Sequence, residues 1–192
     1  FEPLKKLNEL AKILKTERFK KGAINFETTE VKFRLSDAGV PLGIYIKERK
    51  DAHKLIEEFM LLANKRVAEF VHNKPMKKSK KENSILAEQT SNTMVYRIHE
   101  PPNPEKLETF AKFASRVGFS IKTVSQNALS QSLNGLMTEI EGTPMQNVLE
   151  QLAVRTMSKA KYSTNTIGHF GLAFEHYSHF TSPIRRYPDM MA

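Results

Sequence analysis

The sequence predicts an α+β fold, with several long helices packed on a partial, mainly antiparallel sheet. Three observations predict it. Apolar residues recur at helical spacing in successive segments along the chain. A strictly alternating run near residue 30 returns on itself after a turn signal, as a hairpin does. The composition, 40% hydrophobic and 27% charged over 192 residues, is that of a globular chain of one large or two small domains.

The elements follow in order. Residues 3–18 carry Leu4, Leu7, Leu10, Ala11 and Leu14 at the spacing of one buried helix face, and Gly22 breaks the pattern. Val31, Phe33 and Leu35 alternate with Lys32, Arg34 and Ser36. Asp37-Ala38-Gly39 reads as a turn and Leu42 to Ile46 as the return strand, giving a hairpin over 30–47. Residues 51–72 form the strongest helix, with a broad apolar stripe of Leu55, Ile56, Phe59, Met60, Ala63, Val67 and Phe70. Glu57, Leu61, Asn64 and Ala68 share a second, mixed face, so Glu57 and Asn64 are either merely exposed or part of a second packed or functional surface. Glu58 sits with Lys54 and Lys65, where charge pairing in solvent explains it. The lysine-rich run over 73–85 reads as a solvated loop, with an accessory phosphate contact as the alternative.

Beyond that loop, Tyr96-Arg97-Ile98-His99-Glu100 leads into a double proline, and Pro104 opens a helix over 105–117 that Gly118 ends. Two more helices are expected over 123–137 and 144–158, punctuated by Gly135, Gly142 and Pro144. A short extended piece is expected near Tyr162. The chain is then irregular through 180, until Ser182-Pro183, a serine N-cap followed by proline, starts a last helix.

Bulk properties narrow the partners. The net charge is +9, from 30 lysines and arginines against 21 acidic residues, which favours polyanions such as nucleic acid or an anionic surface. Apolar runs are too short to span a membrane, and no secretory signal opens the chain. A first residue Phe1 rather than Met is not expected to be a native start. The absence of cysteine excludes disulfides and thiolate metal sites and fits a reducing compartment.

Chemistry narrows them further. Metal-dependent phosphodiester hydrolysis needs converging carboxylates, yet the aspartates are only Asp37, Asp51 and Asp189, far apart. His169, His176 and His179 lack the further ligands of a zinc site, and hydrogen bonding or stacking suits them better. Ser182 has no nucleophile-elbow context, and no glycine-rich phosphate loop is present. What remains is recognition of phosphate and bases. A helix capped by Ser182 would hold Arg185 and Arg186 in its first turn, where the dipole favours anions. Consecutive residues diverge by about 100°, so one arginine is expected to reach a ligand and the other to make a structural ion pair. Phe170, Tyr177, Phe180 and Tyr187 are candidate base-stacking rings, at least half of them expected in the core.

The segments HFTSPIRRYPD at 179–189 and GHFGLA at 168–173 resemble the catalytic domain of the ribonuclease II / ribonuclease R family. The resemblance extends to Gly39-Val40-Pro41 with AHKLIEEFMLLANKRVA at 52–68, to VYRIHEPPNPEKL at 95–107, and to Arg155-Thr156-Met157, Ala160 and Tyr162. It is closer to the bacterial ribonuclease R branch. It implies a processive, magnesium-dependent hydrolase that degrades single-stranded RNA from its 3′ end to nucleoside 5′-monophosphates. By the same resemblance, the chain is the C-terminal part of an RNB-type catalytic domain spanning 1–192. It lacks the upstream aspartate cluster that would hold Mg2+, the flanking OB-fold domains and the closing helices. It is therefore expected to bind no metal and to be inactive alone, as part of a monomeric, cytoplasmic enzyme with no membrane partner. A non-catalytic RNA-binding module and a structural domain with incidental basicity are the alternatives. The resemblance assigns Arg185 to the scissile or terminal phosphate and Arg186 to the RNA backbone. Glu57, favoured over Glu58, falls near the 3′-terminal nucleotide, and His179, Ser182 and Tyr187 are further RNA contacts.

Overall fold

The computed structural model describes residues 1–25, 30–74, 94–182 and 185–191. Helix α1 (Glu2–Lys20) leads to a hairpin of β1 (Glu30–Leu35) and β2 (Pro41–Lys47), then α2 (Asp51–Asn73). β3 (Tyr96–Ile98) precedes α3 (Pro104–Arg116), α4 (Gln126–Ile140) and α5 (Gln146–Thr156). β4 (Lys161–Ser163) and the short α6 (Tyr187–Met191) complete the order. The mixed architecture is the one expected, and both strand ladders are antiparallel, but they form two separate pairs, β1–β2 and β3–β4, rather than one partial sheet. The lysine-rich stretch from residue 75 on lies outside the described residues. No described helix is long and apolar enough to cross a membrane.

The main core lies between α3, α4 and α5. Leu107, Phe110 and Ala114 of α3 meet Leu129, Leu133, Leu136 and Ile140 of α4 and Leu149 and Ala153 of α5. These are i, i+3, i+4, i+7 positions, so each helix buries one stripe. Both α3 and α4 start on side-chain caps: Asn103 Oδ1 accepts from the Lys106 N–H at 3.1 Å and Ser125 Oγ from the Ala128 N–H at 3.2 Å. Gly135, expected as punctuation, lies inside α4 and interrupts nothing. A second small core joins Ala68 of α2 to Met94, Tyr96 and Ile98.

In the hairpin, Val31 faces Ile46 and Phe33 faces Ile44, so one face is apolar throughout, while Lys32 and Arg34 share the other with Tyr45. Gly39 turns it at φ +77°, a conformation suited to glycine.

The two N-terminal helices correct the sequence reading. In α1 only Ala11 and Arg18 are buried, and Leu4 and Leu10 are at least half exposed. In α2 the buried residues are Glu58, Leu61, Asn64 and Ala68, while Ile56 and Phe70 of the apolar stripe are 67% and 64% exposed. The mixed face is therefore the packed one, and Glu58 is not a solvent-paired residue. It takes Arg18 of α1 as a partner in the interior, with both Arg18 Nε and Nη2 donating to its carboxylate. Two neutralised charges replace the apolar contacts that the stripe would have supplied.

Candidate RNA-binding site

The site is built where α2 meets the segment 168–182. Asn64, fully buried, donates to Thr181 Oγ1 at 3.1 Å and Tyr177 Oη at 3.4 Å, and its Oδ1 accepts from the Phe180 N–H at 3.3 Å. This one side chain draws residues 177–181 across the helix. The far side of the segment is tied to β3: the Arg97 N–H donates to the Tyr177 carbonyl at 2.8 Å, and Ser178 Oγ to the Val95 carbonyl at 2.8 Å. Of the two readings of Asn64, it is the packed, bond-forming one that the structure shows.

A tight turn brings the histidines together. Gly168 has φ +85°, and a Cβ there would lie 3.0 Å from the Phe174 carbonyl, which already accepts the His169 N–H at 2.7 Å. Only glycine fits without strain. His99 Nδ1 accepts from the Gly171 N–H at 3.0 Å, so its Nε2 carries the hydrogen and donates to the Ser158 carbonyl at 2.8 Å. Ring follows ring from there: His99 to His169 at 4.9 Å between centroids, His169 to Tyr177 at 5.4 Å, and Tyr177 to His179 at 6.2 Å. His179 Nε2 then meets the Arg186 guanidinium.

Burial, above all, holds these imidazoles neutral. It pushes His169 down to about 3, assisted by His99, Arg97 and His179. His179 is lowered by burial and then by Arg186 and Arg97. A neutral His179 Nε2 acts as an acceptor for Arg186 and leaves the guanidinium charge uncompensated. Because the folded value for His169 lies below the ordinary 6.5, the unfolded chain takes up the proton first. The contribution of His169 is intact above pH 6.5 and is lost as pH falls toward 3, by up to about 1.4 kcal/mol per pH unit. His169→Asn keeps an acceptor for the Leu172 N–H, which His169 Nδ1 serves at 3.3 Å. Urea midpoints between pH 7.5 and 4.5 should fall more steeply for the wild type than for His169→Asn, and parallel curves would refute the assignment.

The arginine loop differs from expectation. Ser182 does not cap the last helix, which is assigned only from Tyr187; its Oγ accepts from Arg185 Nε instead. Pro183 and the residue after it lie outside the described residues. The loop is braced by Asp189, whose carboxylate accepts the main-chain N–H groups of Ser182 at 3.3 Å and Arg186 at 3.1 Å. Arg185 and Arg186 therefore precede the helix and gain nothing from a first-turn dipole. Neither makes the expected ion pair: among the described residues no carboxylate pairs with either. Asp189 already receives hydrogen bonds from two amides, whereas Arg18 and Arg49 have Glu58 and Glu57.

The structure thus gathers His179, Ser182, Arg185 and Arg186. Tyr187, 78% exposed, stands beside them in sequence, while Phe170 and Tyr177 are core and Phe180 is half-buried. Glu57 lies apart, paired with Arg49, about 10.5 Å along α2 from Asn64. It lines a cleft of about 450 Å³ with Lys15, Arg18, Arg49, Lys54, His99 and His169, and neither Arg185 nor Arg186 reaches that cleft. Sequence reasoning missed Asp189 as the brace, although an aspartate three residues after Arg186 was a visible signal. It also missed Arg97, whose partner Tyr162 belongs to a distant strand.

Among the described residues no group of three or more histidines and acids could hold a metal. The donors among the described residues do not suit magnesium, and binding and positioning are the roles open to them.

The family described as the RNB domain matches residues 2–192. The chain belongs to the RNB-domain family. It is 37% identical to ribonuclease R of Aquifex aeolicus over 190 residues, covering 99% of this chain and 24% of that protein. The structure of Mycoplasma genitalium RNase R in complex with ribose methylated single-stranded RNA superposes with a TM-score of 0.78 at 27% identity, covering 97% of this chain and 27% of that one. The RNB chain described above therefore spans about a quarter of the length of these relatives. Yeast Ssd1, described as a pseudonuclease, shares the fold at a TM-score of 0.56 and 23% identity over 75% of this chain.

Proposed function

We propose that this chain is the phosphate- and RNA-gripping part of a processive 3′-to-5′ exoribonuclease that hydrolyses single-stranded RNA to nucleoside 5′-monophosphates. The observation that carries the reading is the pair of arginines, Arg185 and Arg186, oriented by Ser182 and His179 and left without a carboxylate among the described residues. An arginine fork so held is suited to bidentate phosphate binding. Arg185 takes the scissile or terminal phosphate and Arg186 the backbone, with Ser182 and His179 setting their direction. Tyr187 offers an exposed ring to a base, and Glu57 faces the 3′-terminal nucleotide. Magnesium held by carboxylates other than those of these 192 residues would supply charge stabilisation at the phosphate, and these residues alone would be inactive. The enzyme is monomeric and cytoplasmic, in keeping with a chain free of cysteine.

The full-length protein containing this chain tests the reading. It should release mononucleotides from a uniformly labelled single-stranded RNA, and EDTA should stop it. With EDTA present, Arg185→Ala should weaken binding about 10- to 100-fold, the equivalent of one charge-assisted hydrogen bond, and reduce the salt slope by about one. RNA binding without hydrolysis would leave a non-catalytic RNA-binding module. Binding that ignores salt and Arg185→Ala would sink the site assignment. Mononucleotide release by the 192-residue chain alone would refute its inactivity.

A further inference from the structure

We infer that Arg97 and Tyr162 form a base-stacking subsite beside the Arg186–His179 pair, holding one nucleotide of a single-stranded polynucleotide; this rests on the RNA reading above. The two residues are cross-strand partners in the β3–β4 ladder. Such partners project to the same side of the sheet. Tyr96 and Ile98, the neighbours of Arg97, are buried in the small core, so strand alternation sends Arg97 to the opposite side. There its Cζ lies 4.6 Å from the centre of the Tyr162 ring.

Three further facts separate this pair from an ordinary surface contact. Among the described residues, no carboxylate pairs with the Arg97 guanidinium. Tyr162 keeps 41% of its surface exposed although the cation packs against it. The backbone of Arg97 is bonded to Tyr177, the ring next to His179, which places the pair in the same cluster as Arg186. The positive charge of Arg97 also contributes to the lowering of His169 and His179, in agreement with that placement.

An exposed ring and a guanidinium plane, close to uncompensated arginines, call for a ligand that is planar and anionic at once. A nucleotide meets both demands: its base stacks on the ring or the guanidinium, and its phosphate faces the arginines. Stacking of this kind tolerates any base, because every base presents a π face. It suits a site that must accept successive nucleotides of arbitrary sequence. An inorganic phosphate would use the charge and leave the ring idle.

The test uses the full-length protein with EDTA and a single-stranded RNA in which 2-aminopurine occupies each position in turn. Stacking quenches its emission. The wild type should bind with quenching, and Tyr162→Phe should behave alike. Tyr162→Leu and Arg97→Lys should both lose the quench at the same single position, with affinity falling about 5- to 100-fold. Arg97→Lys should keep the wild-type salt slope, because it preserves the charge. Wild-type quenching and affinity in both variants, with Arg185→Ala still impaired, would overturn the subsite and leave RNA binding standing. A loss in Tyr162→Leu that accompanies a lower melting temperature and is absent from Arg97→Lys would also overturn it. Failure of the wild type to bind RNA at all would overturn both readings.

Discussion

Glu58→Gln is expected to destabilise the fold by about 3–5 kcal/mol, the usual result of removing one partner from a buried ion pair. Glu57→Gln, its neighbour, should cost less than about 1 kcal/mol, as partly exposed pairs do. The contrast follows from the partners. The Arg18 and Glu58 side chains are 9% and 6% exposed, and those of Arg49 and Glu57 are 40% and 36% exposed. Losing the Glu58 charge strands a guanidinium between α1 and α2. Replacing both residues, as Arg18→Met with Glu58→Met, should restore most of the stability, because the desolvation penalty disappears with the pair. Urea denaturation of the four proteins checks the order. Equal midpoints for the two glutamine variants would show that the pair is not the tie between α1 and α2. Glu57→Gln has its own expected phenotype, a weaker hold on the 3′-terminal nucleotide with stability nearly intact.

Asn64→Leu is expected to cost about 3–4 kcal/mol, although leucine has the same number of side-chain heavy atoms as asparagine. The main-chain N–H of Phe180 and the hydroxyls of Thr181 and Tyr177 lose their common partner in the interior, and each unsatisfied group costs about 1–3 kcal/mol. Some of this is recovered where a hydroxyl turns to another acceptor. The variant should also bind RNA less well than its remaining folded fraction predicts, since His179 and Arg186 hang from the segment that Asn64 holds. Asn64→Asp keeps the acceptor for Phe180 and should retain more of both properties. Full RNA affinity in folded Asn64→Leu would show that the clamp serves stability alone.

The sequence made the family and most helices legible. Motifs such as SPIRRYPD are contiguous, and helical spacing is a local property, so Pro104–Arg116 and Gln126–Ile140 were within reach of a short window. What stayed hidden depends on partners distant in sequence. Glu58 reads as a solvent residue until Arg18 is placed against it, 40 positions away. With the charge neutralised, the most apolar stripe of α2 need not be the buried one. The Ser182-Pro183 start signal is not followed by helix at Arg185 or Arg186, and the Ser182 hydroxyl accepts from Arg185 Nε. Arg97 and Tyr162 gave no signal, because only the β3–β4 pairing makes them neighbours.

The Asn64 clamp also has a kinetic side. It joins residues 113 to 117 positions apart, whereas the α3–α5 core forms between helices that follow one another directly. Closing the longer loop costs more chain entropy, and the higher contact order of that part slows its folding. The helical core should therefore form first and the arginine loop last. Pulsed hydrogen exchange during refolding would show the amides of α4 protected before that of Phe180. On the growing chain, the phosphate grip would come into existence only after nearly all of these residues had been made.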